Sequence, residues 1–503
     1  MHRGTLNTGL LAPPPPGRKT SPQQSTPLFT HLRNHAARKP INFHIPGHKM
    51  GQGMQEDFRH FLGENALSID SINIEPLDDL HQPEGIIAEA QRLAARAFSA
   101  DVCLFSVQGT STAIMAMIMS VCNPGDKILV PRNIHKSILA ALILGESHPI
   151  FLPPAVDTKF GIAHGVSTRQ VDKALREHPD LRAVLIIHPT YYGITGDLAA
   201  IAQCVHQYDI PLLVDEAHGA HTYFHPLLPC SAMEAGADMA ATSLHKLGGS
   251  LTQSSLLNIR TQRIDLQRVK TLMSLLTTTS TSYLLLASID CARQQLALRG
   301  KQLLDQALYL AQQARLAINK IPGLQCMDAR CLDGETAYAM DGTKLLIHLG
   351  DLDITGIGAE RWLRTHHNIE VELSDRNNLL CFVTWADTIH SMGALVNGLH
   401  DLARCFYTPH RKIQQNLSIP SIPELVLSPR EALFSPSHSV PLAKASGCIS
   451  TETISIYPPG IPVLLPGERI TTESIQYIIT HLREGYHVQG SENLKVEKIK
   501  ITK

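Results

Sequence analysis

Short apolar runs alternate with helical patterns between about residue 98 and residue 260. The segment DLAAIAQCVHQY at 197–208 has the apolar spacing of a helix. Four runs have the length and composition of buried strands, namely KILVP at 127–131, AVLIIHP at 183–189, PLLVDEA at 211–217 and ADMAATS at 237–243. This alternation predicts an α/β fold with a mostly parallel central sheet and helices on both faces, whose ligands bind at the carboxyl ends of the strands.

The rest of the chain divides into a tail and two smaller units. Residues 1–27 are rich in Pro, Ser, Thr and Gln, which predicts a flexible tail. A long helical pattern over about 290–320 stops at IPGL, so the large domain is expected to span 28–320. Strand patterns in TKLLIHLGDL and NNLLCFVTWA flank a helical one, which predicts a small α+β domain over 321–417. A Pro-rich C-terminal segment is expected over 418–503.

Composition narrows the class of partner. Apolar residues make up 44% of the 503 residues, charged residues 18%, and the net charge is −1, so nothing favours nucleic acid or an anionic membrane as a partner. No apolar run approaches the roughly 20 residues needed to span a bilayer. The ten cysteines form no CxxC pair, which is typical of a reducing compartment. We therefore expect a cytoplasmic protein that acts on a small molecule.

Two residues suggest covalent cofactor chemistry. Asp215 ends an apolar strand, where a carboxylate needs a cationic partner, and Lys246 follows 31 residues later, near the end of the next strand. Enzymes that use pyridoxal 5'-phosphate bind it through a lysine and hold its ring nitrogen with an acidic residue. An ordinary salt bridge for Asp215 and a solvated Lys246 remain the alternative.

Hydroxyl groups and histidines lie near the same strand ends. Gly109, Thr110, Ser111 and Thr112 lead into an apolar helix, which predicts either an anion site or a simple helix cap. His135 follows the strand KILVP, in a loop where its ring could stack on a cofactor. A metal site is the competing hypothesis, because the segment from Asp215 to His221 and nearby His245 supply candidate ligands. It lacks an HExxH pattern and gives Lys246 no role, so we expect no metal.

Nine segments, in order, resemble the Orn/Lys/Arg decarboxylase family, the fold-type-I pyridoxal-phosphate-dependent decarboxylases of basic amino acids. They are HIPGHKMGQG at 44–53, LDDLHQPEG at 77–85, QGTSTAIMAMIM at 108–119, RNIHKSILAALIL at 132–144, PTYYGITGDL at 189–198, LLVDEAHGAH at 212–221, SLHKLGGSLTQ at 243–253, TTTSTSYLLLASID at 277–290 and YPPGIPVLLPGE at 457–468.

The resemblance implies a role for each matching residue. Lys246 matches the lysine that binds the cofactor, Asp215 the carboxylate at its ring nitrogen and His135 the histidine stacked on its ring. His218 is implied to pack close to the cofactor. The implied phosphate cradle comprises Thr110, Ser111, Thr112, Ser243 and His245. Ser280 lies where a neighbouring subunit reaches the phosphate, so a homodimer or larger homo-oligomer with shared active sites is expected.

Two positions depart from the family pattern, and several outcomes stay open. Leu247 stands where members often have threonine, and Thr281 where they often have proline. The chain resembles the shorter members, without an N-terminal receiver-like domain. The implied reaction converts arginine, lysine or ornithine to its amine and CO2 in polyamine synthesis, and arginine is favoured. Lys246 and His245 are both candidates for returning the proton. An aminotransferase, an aldolase or a non-catalytic regulatory relative is the alternative.

Overall fold

Four helices precede the central sheet. The structure is a computed structural model that describes residues 21–409, 419–457, 461–483, 487–490 and 497–503. Short 3-10 helices lie at Pro22–Gln24 and Glu75–Leu77. The four helices are α1 (Pro27–Ala37), α2 (Glu56–Leu62), α3 (Glu64–Ser68) and α4 (Ile86–Ala97).

The large domain then alternates strands with helices. Its elements in chain order are β1 (Val102–Ser106), α5 (Gly109–Val121), β2 (Lys127–Pro131), α6 (Lys136–Gly145), β3 (His148–Leu152), α7 (Thr168–Glu177), β4 (Leu181–Ile187), β5 (Ile194–Thr195), α8 (Leu198–His206), β6 (Leu212–Asp215), a 3-10 helix at Thr222–Phe224, α9 (Ala232–Ala235), β7 (Met239–Thr242), α10 (Leu244–Leu247), β8 (Ser255–Ile259), α11 (Leu266–Leu276) and α12 (Tyr283–Ile318).

The seven-stranded sheet has the order β1-β8-β7-β6-β4-β2-β3. The strands from β7 to β3 run parallel, and β8 is antiparallel to both of its neighbours. One apolar cluster joins α5, α6 and α11 to one face, and another joins α7, α8 and α9 to the other. The predicted fold class, a mostly parallel sheet covered on both faces, is confirmed. The antiparallel strand β8 was not anticipated.

The remaining elements form two smaller units. The first contains β9 (Gln325–Cys326), a 3-10 helix at Ala329–Cys331, β10 (Ala339–Met340), β11 (Lys344–His348), α13 (Gly356–His367), β12 (Leu373–Ser374), β13 (Asn378–Phe382) and α14 (Ile389–Phe406). The second contains α15 (Pro429–Phe434), β14 (Ser437–Pro441), a 3-10 helix at Leu442–Lys444, β15 (Ile454–Tyr457), β16 (Ile461–Leu464), α16 (Thr472–Arg483), β17 (His487–Gln489) and β18 (Lys498–Thr502).

Each smaller unit has its own apolar cluster. Strands β12, β13, β11 and β9 form an antiparallel sheet that packs with α13, α14 and the end of α12. The C-terminal unit packs β15, β16 and α16 with β18. Leu465 of this unit packs in an apolar cluster of the large domain, so the C-terminal unit is anchored to the large domain. The domain boundaries themselves stay predictions, and residue 417 lies outside the described residues.

The expectation of a flexible tail is wrong for residues 21–27. Arg293, fully buried on α12, donates hydrogen bonds to the carbonyls of Gln23 at 2.8 Å and Ser25 at 2.7 Å. Backbone carbonyls are independent of side-chain type, so a polar composition does not reveal that this segment is bound. Residues 1–20 lie outside the described residues. Among the helices that are described, none is long and apolar enough to cross a membrane.

Candidate active site

The predicted site residues gather at the carboxyl ends of neighbouring parallel strands. Asp215 is the last residue of β6, and Ser243 follows β7 directly. The one-turn helix α10 then carries Lys246, and His135 caps α6 after β2. Because parallel strands end at the same edge of a sheet, these four side chains reach one crevice.

Lys246 lies in a desolvated environment beside two aromatic rings. Its Nζ is 2.9 Å from Nε2 of His218 and 6.0 Å from the centre of the Tyr191 ring. Burial lowers the pKa of Lys246, whereas the charges of Asp215 and Glu372 act to raise it. A lysine with a lowered pKa is more often a neutral amine, the form that attacks a carbonyl carbon.

Asp215 is a buried carboxylate with spare hydrogen-bonding capacity. It is 4% exposed and accepts a hydrogen bond from the backbone N–H of Ala217 at 3.1 Å. It makes no ion pair among the residues that the structure describes. Burial raises the pKa of Asp215, and the nearby charges of His135 and Lys246 act to lower it. A protonated ring nitrogen of pyridoxal phosphate fits this carboxylate, since it supplies the missing cationic donor.

His135 and His218 are held by different contacts. His135 accepts a hydrogen bond from Ser137 N at Nδ1, at 3.2 Å, and so caps α6. Desolvation lowers the pKa of His135, as do the charges of Lys246 and Lys136, while Asp215 acts to raise it. His218 is buried, and its ring meets the edge of Tyr191 with ring centres 4.5 Å apart. His218 therefore lies beside Lys246, and His135 lies within electrostatic range of Asp215 and Lys246.

The start of α5 fits an anion. Gly109 has φ +73°, in the left-handed region, and the space where its side chain would be is open. The hydroxyl of Thr110 is hydrogen-bonded to that of Ser243 and lies 2.7 Å from that of Ser255. Ser111 is in the same first turn, and Thr112 is buried beside it. The backbone N–H of Gly109 donates to the carbonyl of Gln253 at 2.8 Å, so the N–H groups of Thr110, Ser111 and Thr112 are the ones of this helix end that fit a phosphate group.

Two members of the expected cradle are not joined to it by a described contact. His245 Nδ1 lies 2.9 Å from the carbonyl oxygen of Ser254. Ser280 is exposed on the turn between α11 and α12, and its N–H donates to Thr278 Oγ1 at 3.2 Å. Thr278 N in turn donates to Gln108 Oε1 at 2.8 Å, which ties this turn to the residue before α5. The roles of His245 and Ser280 stay predictions.

Three residues near Lys246 were given no role from the sequence. Tyr191 donates a hydrogen bond to Glu372 Oε1 at 2.5 Å. Lys344 is 3% exposed and donates to the carbonyl of Tyr191 at 3.0 Å, and burial lowers its pKa to about 8. The charge of Glu372 acts to raise the pKa of both Lys246 and Lys344, so its carboxylate lies within electrostatic range of the two amines. A lysine inside an otherwise apolar strand, in TKLLIHL, was the one visible signal.

Two carboxylates in the segments that carry the family resemblance, Glu468 and Asp78, have partners within the protein. Glu468 is fully buried and forms a two-pronged ion pair with Arg132. Asp78 accepts backbone hydrogen bonds around the start of α4, including one from Ile87 N at 2.8 Å. Both carboxylates bind groups of the protein itself, so neither is available to a substrate.

The side chains that a metal site would need as ligands are bound to other groups of the protein. His221 Nε2 lies 3.0 Å from Asp341 Oδ2 in a buried pair, and Glu216 points to three hydrogen-bond donors of the protein. No group of three His, Cys, Asp or Glu side chains in the described ranges is arranged to hold a metal ion.

Comparison with known proteins identifies the family. The sequence model of the Orn/Lys/Arg decarboxylase major domain matches residues 26–391, and the model of its C-terminal domain matches residues 412–490. Arginine decarboxylases of Bacillus anthracis and Bacillus subtilis are 53% and 52% identical over 482 residues, which cover 96% of this chain and 98% of each relative. A lysine decarboxylase structure from Francisella novicida shares the fold, with a TM-score of 0.82, 22% identity and coverage of 95% of this chain and 81% of that one. The fold is that of type I pyridoxal-phosphate-dependent enzymes, and the chain belongs to the Orn/Lys/Arg decarboxylase family.

Proposed function

We propose that this decarboxylase acts on L-arginine with bound pyridoxal 5'-phosphate and produces agmatine and CO2. The observation that carries the cofactor assignment is the buried Asp215 carboxylate, which has no ion-pair partner in the described residues and lies close enough to Lys246 to shift its pKa. Identity of 53% to an arginine decarboxylase supports arginine over lysine and ornithine.

The residues of the crevice bind different parts of the cofactor. Lys246 attaches the cofactor, Asp215 accepts a hydrogen bond from its ring nitrogen, and His135 and His218 border the ring. The first turn of α5, with Ser243 and His245, holds the phosphate. Ser280 contacts the cofactor phosphate that is bound in a neighbouring subunit. The chemistry that pyridoxal phosphate supplies when bound is a sink for the electrons of the bond to the departing carboxylate.

Lys246 is our candidate for returning the proton to the α-carbon. Its Nζ lies 2.9 Å from His218 Nε2, so the imidazole can share a proton with the amine. His245 is less suited, because one ring nitrogen lies 2.9 Å from the Ser254 carbonyl. Proton return by a group that is already positioned costs little reorganisation.

Glu372 is our candidate for recognising the charged end of the substrate. It is exposed in the chain described here, it is hydrogen-bonded to Tyr191, and its charge reaches Lys246. A guanidinium group binds a carboxylate through two parallel hydrogen bonds, which an ammonium group cannot make. Glu372→Gln should therefore raise KM for arginine about tenfold to a hundredfold, the factor for one charged hydrogen bond.

The test of the function is a substrate panel. Purified protein with pyridoxal phosphate is given arginine, lysine and ornithine, and CO2, the amine and any keto acid are measured. We expect CO2 and agmatine in equal amounts from arginine. Keto acid without CO2 would mean an aminotransferase, and no product from any of the three would overturn decarboxylation. Glu370→Gln, which removes an exposed carboxylate paired with Arg364, is the matched control for Glu372→Gln and should leave KM unchanged.

A homodimer is the assembly that we propose. Ile41, Phe43 and Phe61 are 86%, 93% and 87% exposed in the segment that includes α2. Three such side chains present about 500 Å² of apolar surface, against about 800 Å² per partner in a standard interface. A second copy of the chain is the partner expected there, and sedimentation of Phe43→Ser should show monomers.

All ten cysteines are free, which supports action in the cytoplasm, where agmatine would enter polyamine synthesis.

A further inference from the structure

Glu216 is a fully buried carboxyl group that follows Asp215 directly. It accepts hydrogen bonds from the hydroxyl of Tyr223 at 2.6 Å, from the backbone N–H of Ala232 at 2.7 Å and from the hydroxyl of Thr242 at 2.9 Å. No cation pairs with it among the described residues, and burial raises its pKa to about 8. Burial of a carboxyl group costs free energy unless it is hydrogen-bonded, and a buried group with all its hydrogen bonds made holds its partners in fixed positions.

The hydrogen bond to Thr242 continues toward the predicted phosphate cradle. The carbonyl oxygen of Thr242 accepts a hydrogen bond from Ser255 Oγ at 2.8 Å. Ser255 Oγ is 2.7 Å from the hydroxyl of Thr110, which is also hydrogen-bonded to Ser243. All of these side chains are buried, so their hydroxyl groups have few other partners. Thr242 thus links the two ends through its own backbone, because Glu216 bonds its side chain and Ser255 bonds the carbonyl of the peptide that joins it to Ser243.

We propose that Glu216 is a positioning residue, which holds Thr242 and thereby the Thr110–Ser243 wall of the phosphate cradle. Successive side chains at a strand end point to opposite sides, so Asp215 faces the crevice while Glu216 faces the sheet interior. One dipeptide then fixes both ends of the cofactor, its ring nitrogen directly and its phosphate group through Thr242. This inference rests on the proposed function, because it needs pyridoxal phosphate at Lys246.

Affinity for pyridoxal, which lacks the phosphate group, separates this role from a general contribution to folding. Apoprotein is titrated with pyridoxal phosphate and with pyridoxal, and the dissociation constants are taken from protein fluorescence. Glu216→Leu should weaken pyridoxal phosphate about tenfold, the factor for one hydrogen bond, and pyridoxal less than about twofold. Glu234→Gln is the matched control, since Glu234 is an exposed carboxylate on α9 whose charge also reaches Glu216, and it should change neither constant.

Thr242→Val tests the same link while it leaves Glu216 in place and keeps the shape of the side chain. It should reproduce the selective loss, and the double variant Glu216→Leu/Thr242→Val should lose no more than either single variant. An equal loss of both ligands, or no loss in Thr242→Val, would overturn the positioning role. The proposed function fails separately, if wild-type protein reduced with borohydride carries no cofactor on Lys246.

Discussion

The ion pair between Arg132 and Glu468 joins the C-terminal unit to the loop that carries His135. Arg132 is 2% exposed and Glu468 fully buried. Arg132 Nη2 donates to Glu468 Oε2 at 2.7 Å, and its Nε donates to the carbonyl of Pro462 at 2.9 Å. Glu468 Oε2 also accepts from Leu465 N at 2.8 Å. Replacing the carboxylate by an amide of the same shape therefore leaves a guanidinium charge inside the protein.

Glu468→Gln should lower the free energy of unfolding by about 3 kcal/mol, because a buried charge without its partner costs about 3–5 kcal/mol. Urea unfolding, followed by fluorescence and by the amount of cofactor retained, measures the change. Glu424→Gln is the control, since it removes one partner of the exposed Arg469–Glu424 pair, whose atoms are 3.0 Å apart. An exposed pair contributes about 0–1 kcal/mol.

We expect the cofactor of Glu468→Gln to dissociate at lower urea than that of Glu424→Gln, because Arg132 is three residues from His135. Equal unfolding midpoints for the two variants would refute the reasoning. They would mean that water or another group compensates the charge of the buried guanidinium, and that loss of this buried pair destabilises the protein no more than loss of an exposed pair.

Two further predictions concern the crevice. Asp215→Asn should still bind pyridoxal phosphate and yet lose about 10²-fold or more in kcat, because the amide cannot hold a proton on the ring nitrogen by charge; turnover near the wild-type rate would remove this role. Lys344 has its pKa lowered by burial from 10.5 to about 8, so between those values the unfolded chain binds the extra proton. The free energy of unfolding of the wild type should therefore rise by about 2 kcal/mol relative to Lys344→Met between about pH 8 and about pH 10. A constant difference in urea midpoint across that range would contradict the buried position of an ionisable Lys344.

The sheet was predictable because its strands are buried on both faces. Runs such as KILVP and PLLVDEA are apolar throughout, which is typical of central parallel strands, and the structure places strands at both. Strand β8 was missed because SLLNI follows a polar loop without a clear boundary. Residues 21–27 were missed because their backbone carbonyls are held by Arg293, and backbone groups are alike in every sequence.

The site was predictable where one strand end determines the position of a side chain. Asp215 and Lys246 lie at adjacent strand ends, so their spacing predicted that they reach one crevice, and the family resemblance supplied the roles that we propose for them. Tyr191, Lys344 and Glu372 could not be assigned, since each reaches the crevice through packing of the small domain on the large one. The buried pair of Glu468 could not be predicted, because burial of a carboxylate depends on its partner and Arg132 is distant in the sequence.

The most direct test of the function asks whether Lys246 binds the cofactor and is needed for the reaction. Wild-type protein and Lys246→Ala are each loaded with pyridoxal phosphate, reduced with borohydride and digested, and CO2 release from arginine is measured on unreduced samples. We expect the cofactor on the wild-type peptide that contains Lys246, CO2 with an equal amount of agmatine from the wild type, and neither from Lys246→Ala. Cofactor attached to a different lysine, or arginine decarboxylation that survives in Lys246→Ala, would contradict the assignment of this crevice as the active site.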